Sequence, residues 1–391
     1  MDKLPLSGIR VAEFTWVIAG PLMTKTLAVL GAEVIRIESA KRAEFRDRSV
    51  NFTLLNNNKK SCSLDLSQPR ARELAKEIIK RSDIVVENFG YGVMDRLGLG
   101  YEALCEVKSD IIMLSCSGLG RTGPEKDKLA YGTLLQLFSG WSLLQGSVDT
   151  ADIPIGGAWT DPLTAATGTF ALLAALHHRE NTGEGQYIDL SMAEATICGI
   201  PDALMDYSMN KRLHGRLGNS DVIAAPHDCF PCKGDDQWIA ISASNEGEWH
   251  ALRGAMGNPG WSCDEKFTDA FRRKRNEGEL NQFISTWTAD RTTDEVMCAL
   301  QPAGVPAGPS MSVRDLMADP HLAERGIFVS MDAPEKENQM TIGVPWSIQP
   351  GFTPSYMPAP ALGQDNDYVF QTLLGLSEIE IAELVDMNVL R

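Results

Sequence analysis

The most constraining feature of this sequence is a strand–helix–strand pattern within residues 9–37. Residues 9–14 form an apolar run rich in β-formers, and a loop containing Ala19-Gly20-Pro21 leads into a helical pattern that stops before Gly31. Residues 34–37 form a second apolar run. Two strands joined by one helix over so short a stretch run parallel, with a right-handed crossover. The pattern therefore predicts an α/β protein built on a parallel sheet.

The same alternation continues along the chain. Helical spacing at residues 71–81 is followed by short apolar runs at 84–86 and 111–115. Helical spacing at 160–178 is followed by an alternating run at 186–190. Small residues such as Gly168 in the longer helix favour close packing against a neighbour. These elements extend the layered α/β domain.

The domain organisation follows from length and from a change in character near residue 223. A chain of 391 residues exceeds what one compact core usually carries, so at least two structural units are expected. Residues 223–236 are punctuated by Pro226, Pro231 and Gly234, and residues 334–360 are rich in proline. We therefore predict a large domain whose first part is 1–222, a small domain at 223–334, and a segment at 335–391 that returns to the large domain.

Charge and cysteine content limit the partners and the compartment. Lys and Arg number 36 against 52 Asp and Glu, which gives a net charge of -16 and excludes a general nucleic-acid binder. An anionic ligand would need locally clustered basic residues. No apolar stretch reaches the roughly 18 residues of a membrane helix, and the start lacks a signal-peptide pattern. Eight scattered cysteines are typical of reduced thiols, so a cytoplasmic location is expected.

Several familiar motifs are incomplete. A dinucleotide-binding fingerprint needs three glycines, whereas the first loop offers only Gly20, although Glu38 sits where a ribose-binding acid would. Cys229 and Cys232 have CxxC spacing without a second ligand pair, so packed thiols in a β-hairpin are favoured over a metal site. No Gly-x-Ser-x-Gly motif is present, which removes the commonest serine-hydrolase assignment.

Asp161 is the most informative single residue. It follows Gly156-Gly157 and stands at the positive end of the helix predicted from residue 160. One interpretation is a helix cap. The other is a carboxylate nucleophile kept ionised by the helix terminus, with the glycines leaving room for substrate. Local pattern alone leaves both open.

Ordered sequence motifs carry the strongest functional signal. They are Leu6-Ser7-Gly8-Ile9-Arg10-Val11 to Ala19-Gly20-Pro21, residues 30–38, Asn58-Lys59-Lys60-Ser61, Glu87-Asn88-Phe89-Gly90 to Asp95-Arg96-Leu97-Gly98, Asp161 with Ala174-Ala175-Leu176, residues 182–186, Ala303-Gly304-Val305-Pro306, Asp319-Pro320-His321-Leu322 and residues 358–363. With these motifs the chain resembles, over nearly its whole length, the family III CoA-transferases (the CaiB/BaiF family), which include formyl-CoA:oxalate and carnitine CoA-transferases.

The resemblance implies an activity and a site. Asp161 would attack an acyl-CoA donor, form a mixed anhydride and then an aspartyl-CoA thioester, and pass CoA to a carboxylic acid acceptor. Coenzyme A is then a substrate, and no metal or redox cofactor is needed. Oxyanions at each step would need N–H donors, for which the glycines before Asp161 are candidates. The positions that match CoA contacts of the family are Val17, Ile18, Ala19, Leu64, Asn88, Phe89, Arg96 and Tyr131.

The implied fold is a Rossmann-like large domain with a smaller inserted α+β domain, in an interlocked dimer. A homodimer is expected, and a related partner subunit is the alternative. Arg36, Lys59 and Lys60 would either add local positive charge for CoA or be solvated surface.

Departures from the family pattern are also visible. Ser39 and Ser67 occupy frequent basic positions, and Gly132 replaces an acidic residue that often follows the tyrosine. No glycine-rich loop is evident after Trp238, so oxalate is not predicted as the acceptor.

Two other functions remain open at this stage. An acyl-CoA racemase shares the architecture and would exchange an α-proton with an acid/base pair. A CoA-binding partner subunit of a hetero-oligomeric transferase would leave the chemistry to another chain. The donor and the acceptor acid are not identified by these residues.

Overall fold

The computed structural model describes residues 4–42, 52–147, 156–333, 336–349 and 352–390. These residues divide into two compact units. The large unit lies within residues 1–142, 154–213 and 322–391, and the small unit within 143–153 and 214–321. The domain limits expected at 223 and 335 stay a prediction.

A parallel sheet organises the large unit and confirms the α/β prediction. Within the described residues it has six strands in the order β3-β2-β1-β4-β5-β6, and every neighbouring pair runs parallel. The chain winds outward on both sides of the boundary between β1 and β4, which makes the carboxyl ends of these two strands the topological switch point. The strands are β1 (Arg10–Phe14), β2 (Glu33–Glu38), β3 (Lys60–Ser63), β4 (Ile84–Glu87), β5 (Ile112–Ser117) and β6 (Tyr187–Ser191).

Helices cover both faces of this sheet. One buried cluster joins Phe14 to Ile78, and another joins Val11 to Leu27 and Leu172, so alternate residues of β1 face opposite cores. The helices of this part of the chain are α1 (Ala19–Val29), α2 (Phe52–Leu55), α3 (Pro69–Lys80), α4 (Val93–Arg96), α5 (Tyr101–Val107), α6 (Gly132–Phe138), α7 (Thr160–Thr182), α8 (Met192–Ile197) and α9 (Pro201–Asn210). None of the helices described is long and apolar enough to cross a membrane.

Helices α1 and α7 pack closely because small residues of α7 face α1. Ala165 is buried, and a Cβ built on Gly168 would lie 2.3 Å from Cε of Met23 and 2.9 Å from Cδ2 of Leu190. A side chain at this position would have to displace the ends of the Met23 and Leu190 side chains, and a large one would overpack the contact. This contact matters for the site because both helices begin there.

The small unit has its own antiparallel sheet and core. Trp249, Phe267 and Ile284 lie in one buried cluster. Cys229 lies in the first strand of a hairpin and Cys232 follows it, with both thiols free, as expected for packed thiols. The elements are β7 (His227–Pro231), β8 (Trp238–Ser242), α10 (Glu246–Ala255), α11 (Ala270–Arg275), α12 (Glu277–Ala289), α13 (Thr293–Leu300), β9 (Ala307–Pro309) and α14 (Val313–Ala318).

The C-terminal part of the chain contributes to the large unit. Val369, Phe370 and Leu384 are buried in the same cluster as Phe14. Asp365 accepts a hydrogen bond of 2.8 Å from the N–H of Ser61. The elements are α15 (Pro320–Arg325), an antiparallel hairpin of β10 (Phe328–Ala333) and β11 (Lys336–Ile342), a π-helix (Tyr368–Leu373) and α16 (Glu378–Asp386).

Candidate active site

The loop after β1 is held in a strained shape at the switch point. The side-chain amide of Asn88, which follows β4, accepts from the N–H of Trp16 at 2.9 Å and donates to its carbonyl at 2.8 Å. The next residue, Val17, has φ of 64°, a left-handed conformation that a β-branched residue rarely adopts. Such strain persists where surrounding contacts impose it, and it concentrates at functional sites. Ligands of Rossmann-type sheets bind at this edge.

Asp161 lies in the first turn of α7, and its side chain is buried. Burial raises the pKa of this carboxyl to about 6, and the N–H groups of Ala19 and of Asp161 itself offset part of that effect by hydrogen-bonding the carboxylate. A Cβ built on Gly132 would lie 2.0 Å from Oδ2 of Asp161, so the backbone of α6 touches the carboxylate directly. Three helices, α1, α6 and α7, therefore begin around one carboxyl group.

This arrangement makes the carboxylate of Asp161 more basic than that of an ordinary aspartate. With the ordinary aspartate pKa of 3.8, the carboxylate of Asp161 would be a weak base. At about 6 it is still mainly ionised at neutral pH, but it is more basic and largely stripped of water. The helix N-termini stabilise negative charge at this point.

Several of the predicted site residues lie in or beside the loop after β1 and the start of α6. Val17 and Ile18 form the strained loop, and Ala19 opens α1 with its N–H on Asp161. Asn88 binds that loop, with Phe89 next to it in the chain. Tyr131 immediately precedes Gly132 and is exposed. Their contacts with CoA stay a prediction.

Leu64 and Arg96 are placed differently. Leu64 as a whole residue is only 1% exposed, its side chain belongs to the core that contains Phe14, and its N–H already donates to the carbonyl of Glu38 at 2.8 Å. It lines a small cavity with Lys41, which pairs with Asp65 at 2.7 Å. Sequence reasoning missed Lys41, a cation two positions after Ser39. Arg96 is exposed at the end of α4, where it remains accessible to solvent.

Buried ion pairs lie next to the loops that follow β1 and β4, and they correct the prediction for Arg36 and Lys59. Arg36 and Lys59 are neither solvated surface nor free cations, because both are buried and paired with the fully buried Glu13. Next to the loop that follows β4, Glu87 pairs with Arg121, and Arg121 donates to the carbonyl of Phe89 at 3.0 Å. The available signal was a lone acid in an otherwise apolar strand, as at Glu13.

Fold and site together define an α/β protein with a buried carboxylate of raised pKa at the switch point of its parallel sheet. The profile of CoA-transferase family III matches residues 6–366. The chain belongs to this family and is a family III CoA-transferase.

Particular relatives agree with this assignment. Succinyl-CoA–D-citramalate CoA-transferase of Chloroflexus aurantiacus is 32% identical over 97% of this chain and 96% of its own length. The beta subunit of succinyl-CoA–L-malate CoA-transferase of the same organism is 29% identical over 99% of this chain and 98% of its own. The crystal structure of a CaiB/BaiF family protein from Brucella suis superposes with a TM-score of 0.86 at 27% identity, covering 95% of this chain and 100% of the other.

Proposed function

We propose that this chain moves CoA from an acyl-CoA donor to a carboxylic acid, with Asp161 as the nucleophile. The observation that carries the proposal is a carboxylate only 6% exposed, with its pKa raised to about 6, at the start of three helices and hydrogen-bonded by the loop at the topological switch point. A helix cap needs neither this burial nor the glycine against the carboxylate. The family supplies the transfer reaction, and the geometry supports Asp161 as the residue that performs it.

The first half-reaction loads CoA onto the protein. An oxygen of the Asp161 carboxylate attacks the carbonyl carbon of the donor thioester, and the carbon–sulfur bond breaks to give a mixed anhydride and CoA thiolate. The thiolate then attacks Cγ of Asp161. The donor acid leaves as its carboxylate, and an aspartyl-CoA thioester remains.

The second half-reaction runs the same steps with the acceptor. The acceptor carboxylate attacks Cγ and expels CoA thiolate, which forms a second anhydride. The thiolate then attacks the acceptor carbonyl, which yields the new acyl-CoA and returns the free carboxylate of Asp161. All bonds balance without net hydrolysis, provided that water is kept from both anhydrides.

The N–H of Ala19 is the donor best placed to stabilise the oxyanion that develops at Cγ. It already hydrogen-bonds the carboxylate in the resting state. The glycines considered from the sequence are less suited, because Gly156 and Gly157 are exposed and the carbonyl of Gly157 accepts from Gln136 at 3.0 Å. We assign the oxyanion role to the first turn of α1.

For the substrates, we propose succinyl-CoA as donor and a small dicarboxylic acid as acceptor. Support comes from the relatives, which are named for succinyl-CoA with citramalate or malate. The proposed CoA contacts are Val17, Ile18, Ala19, the backbone of Leu64, Asn88, Phe89, Arg96 and Tyr131. A homodimer is the proposed assembly.

The proposal is tested by incubating the protein with succinyl-CoA and a panel of carboxylic acids, and by identifying the CoA products by mass spectrometry. New acyl-CoA without net hydrolysis is expected, together with a CoA adduct on the peptide that contains Asp161. Asp161→Asn, which keeps the size and removes the nucleophile, should abolish both. An adduct on another residue, or α-deuteration of a branched acyl-CoA without transfer, would contradict the assignment.

A further inference from the structure

A buried four-charge network lies beneath the loop that leads into α1. Lys59 Nζ lies 3.0 Å from Oε2 of Glu13, and Arg36 Nη1 lies 2.7 Å from Oε1 of the same carboxylate. Arg36 also pairs with Glu38. The network contains two acids and two bases, and burial lowers the pKa of Lys59 to about 7 although Glu13 opposes this shift. Burial raises the pKa of Glu13, but Lys59 and Arg36 outweigh it and hold that pKa below its ordinary value.

The network contacts the loop that leads into α1, and the first turn of that helix, at two points. Lys59 Nζ donates to the carbonyl of Pro21 in the first turn of α1 at 2.9 Å, and to Oδ1 of Asn56 at 2.9 Å. On the other side, the hydroxyl of Thr15 donates to Glu13. Thr15 also packs against Gly20, because a Cβ built on Gly20 would lie 2.5 Å from the Cβ of Thr15.

Ala19 lies between these two points. Its N–H bonds Asp161, and the chain from Thr15 to Pro21 has few ways to move while both ends are held. A buried ion pair is weak evidence for stability, because apolar residues of the same volume often serve as well or better. The position of this pair under the loop suggests a role in geometry.

We propose that the Glu13–Lys59 pair, backed by Arg36, positions the first turn of α1 and thereby the N–H of Ala19 on Asp161. The proposal rests on Asp161 being the nucleophile. Lys59 is a positioning residue, since it contacts Pro21 and Glu13 and not the reacting carboxyl. Loosening the turn weakens the hydrogen bond from Ala19 to the ionised carboxylate, which raises the pKa of Asp161. It also weakens the stabilisation of the oxyanion at Cγ, which slows formation of the aspartyl-CoA thioester.

The test is the pH dependence of adduct formation at Asp161 with succinyl-CoA in quenched single turnovers. The titratable group that faces Asp161 from β5 is Cys116; burial raises its pKa to about 12, so it stays neutral over the range studied. For Lys59→Met, the acid limb should move to higher pH, and the rate at pH 6.5, below the pKa of about 7 that burial gives Lys59, should fall about tenfold or more. Asp161 should still be the modified residue.

Lys25→Met is the matched control. Lys25 is another buried lysine, and it lies on α1 itself, but its Nζ contacts the carbonyl of Ile342 at 3.2 Å in the β10–β11 hairpin. Lys25→Met also removes one buried lysine, but from a position of α1 beyond its first turn. Its pH profile should therefore match that of the unsubstituted protein. Thr15→Val keeps all four charges and removes only the hydroxyl bond, and should shift the acid limb in the same direction as Lys59→Met. It carries the test if Lys59→Met does not fold.

The outcomes separate the two proposals. An adduct at Asp161 with superimposable profiles for Lys59→Met, Thr15→Val and Lys25→Met overturns the positioning role alone. No adduct at Asp161 in the unsubstituted protein overturns the proposed function and this inference with it.

Discussion

At the residue scale, the ionised form of Asp161, which is the reactive form, should make the protein less stable. Its pKa is raised from 3.8 to about 6, so the folded chain binds this proton more tightly than the unfolded chain. The contribution to stability is therefore greatest below pH 3.8 and falls as the pH rises through about 6. Asp161→Asn should raise the free energy of unfolding at pH 7 by about 1–3 kcal/mol, since each pKa unit is worth about 1.4 kcal/mol.

Denaturant unfolding of both proteins at pH 7 and near pH 4 measures this difference. The gain should shrink toward the lower pH, where the carboxyl of Asp161 is protonated in the folded chain. Equal stabilities at pH 7 would contradict the cost assigned to burying this charge.

Gly132 provides a second prediction at this scale. A methyl group there would lie 2.0 Å from Oδ2 of Asp161, which is closer than real Cβ contacts allow. Gly132→Ala should displace the carboxylate and lower the rate of adduct formation by about 100-fold, since a misplacement near 1 Å has effects of that size. Gly278→Ala is the control, because a Cβ on this glycine of α12 meets open space. Retained activity in Gly132→Ala would show that the carboxylate moves freely.

At the element scale, the contact between α1 and α7 should control the site. Gly168→Leu places a side chain where a Cβ alone would lie 2.3 Å from Cε of Met23. Overpacking of this kind costs about 1–3 kcal/mol, and it should shift Asp161 on α7 away from Ala19 on α1. The midpoint temperature of thermal unfolding and the single-turnover rate should both fall. Met23→Ala should partly rescue Gly168→Leu, because it removes the side chain that the new residue meets.

Elements with a clear local pattern could be predicted from the sequence. The strands that became β1, β2 and β4 have apolar β-forming runs bounded by turns, and the parallel order follows from short crossovers. Strand β11 could not be predicted, because its sequence, Lys-Glu-Asn-Gln-Met-Thr-Ile, lacks alternating apolar residues. Its pairing with β10 compensates for the weak local preference.

The site shows the same limit. Asp161 was identified because a motif and a helix start coincide in the sequence. The pairing of Glu13 with Arg36 and Lys59 joins residues 23 and 46 positions apart, so the lone acid in its apolar strand indicates a buried partner but nothing local in the chain indicates which one. Leu64 was matched as a ligand contact because motif comparison registers position, whereas the burial of its side chain depends on the three-dimensional core.

At the scale of the whole molecule, the apolar surface of the large unit indicates a second copy of this chain. Helix α9 has ten residues and none of them is buried, yet it carries Met205 and Met209, and α7 exposes Phe170. A helix this short is marginal without packing partners. Leu134 and Phe138 on α6 are also exposed, on a helix that begins at the site. Surfaces of this kind mark interfaces. We therefore expect a dimer of the 42.7 kDa chain.

An interlocked dimer makes a prediction that an ordinary dimer does not. If each chain threads through its partner, subunits cannot separate without partial unfolding, so stability and assembly are one process. Tagged and untagged protein mixed under native conditions should form no mixed dimers by native mass spectrometry. The same mixture should form them after denaturation and refolding.

Met209→Glu on α9 tests whether the exposed apolar surface makes that assembly. It should leave monomeric or poorly folded protein, whereas Ile379→Glu, at an exposed apolar residue of α16, should remain dimeric. Mixed dimers that appear under native conditions would show a dimer that opens without unfolding. A Met209→Glu protein that stays dimeric and does not exchange would keep the interlock and place its interface elsewhere than α9.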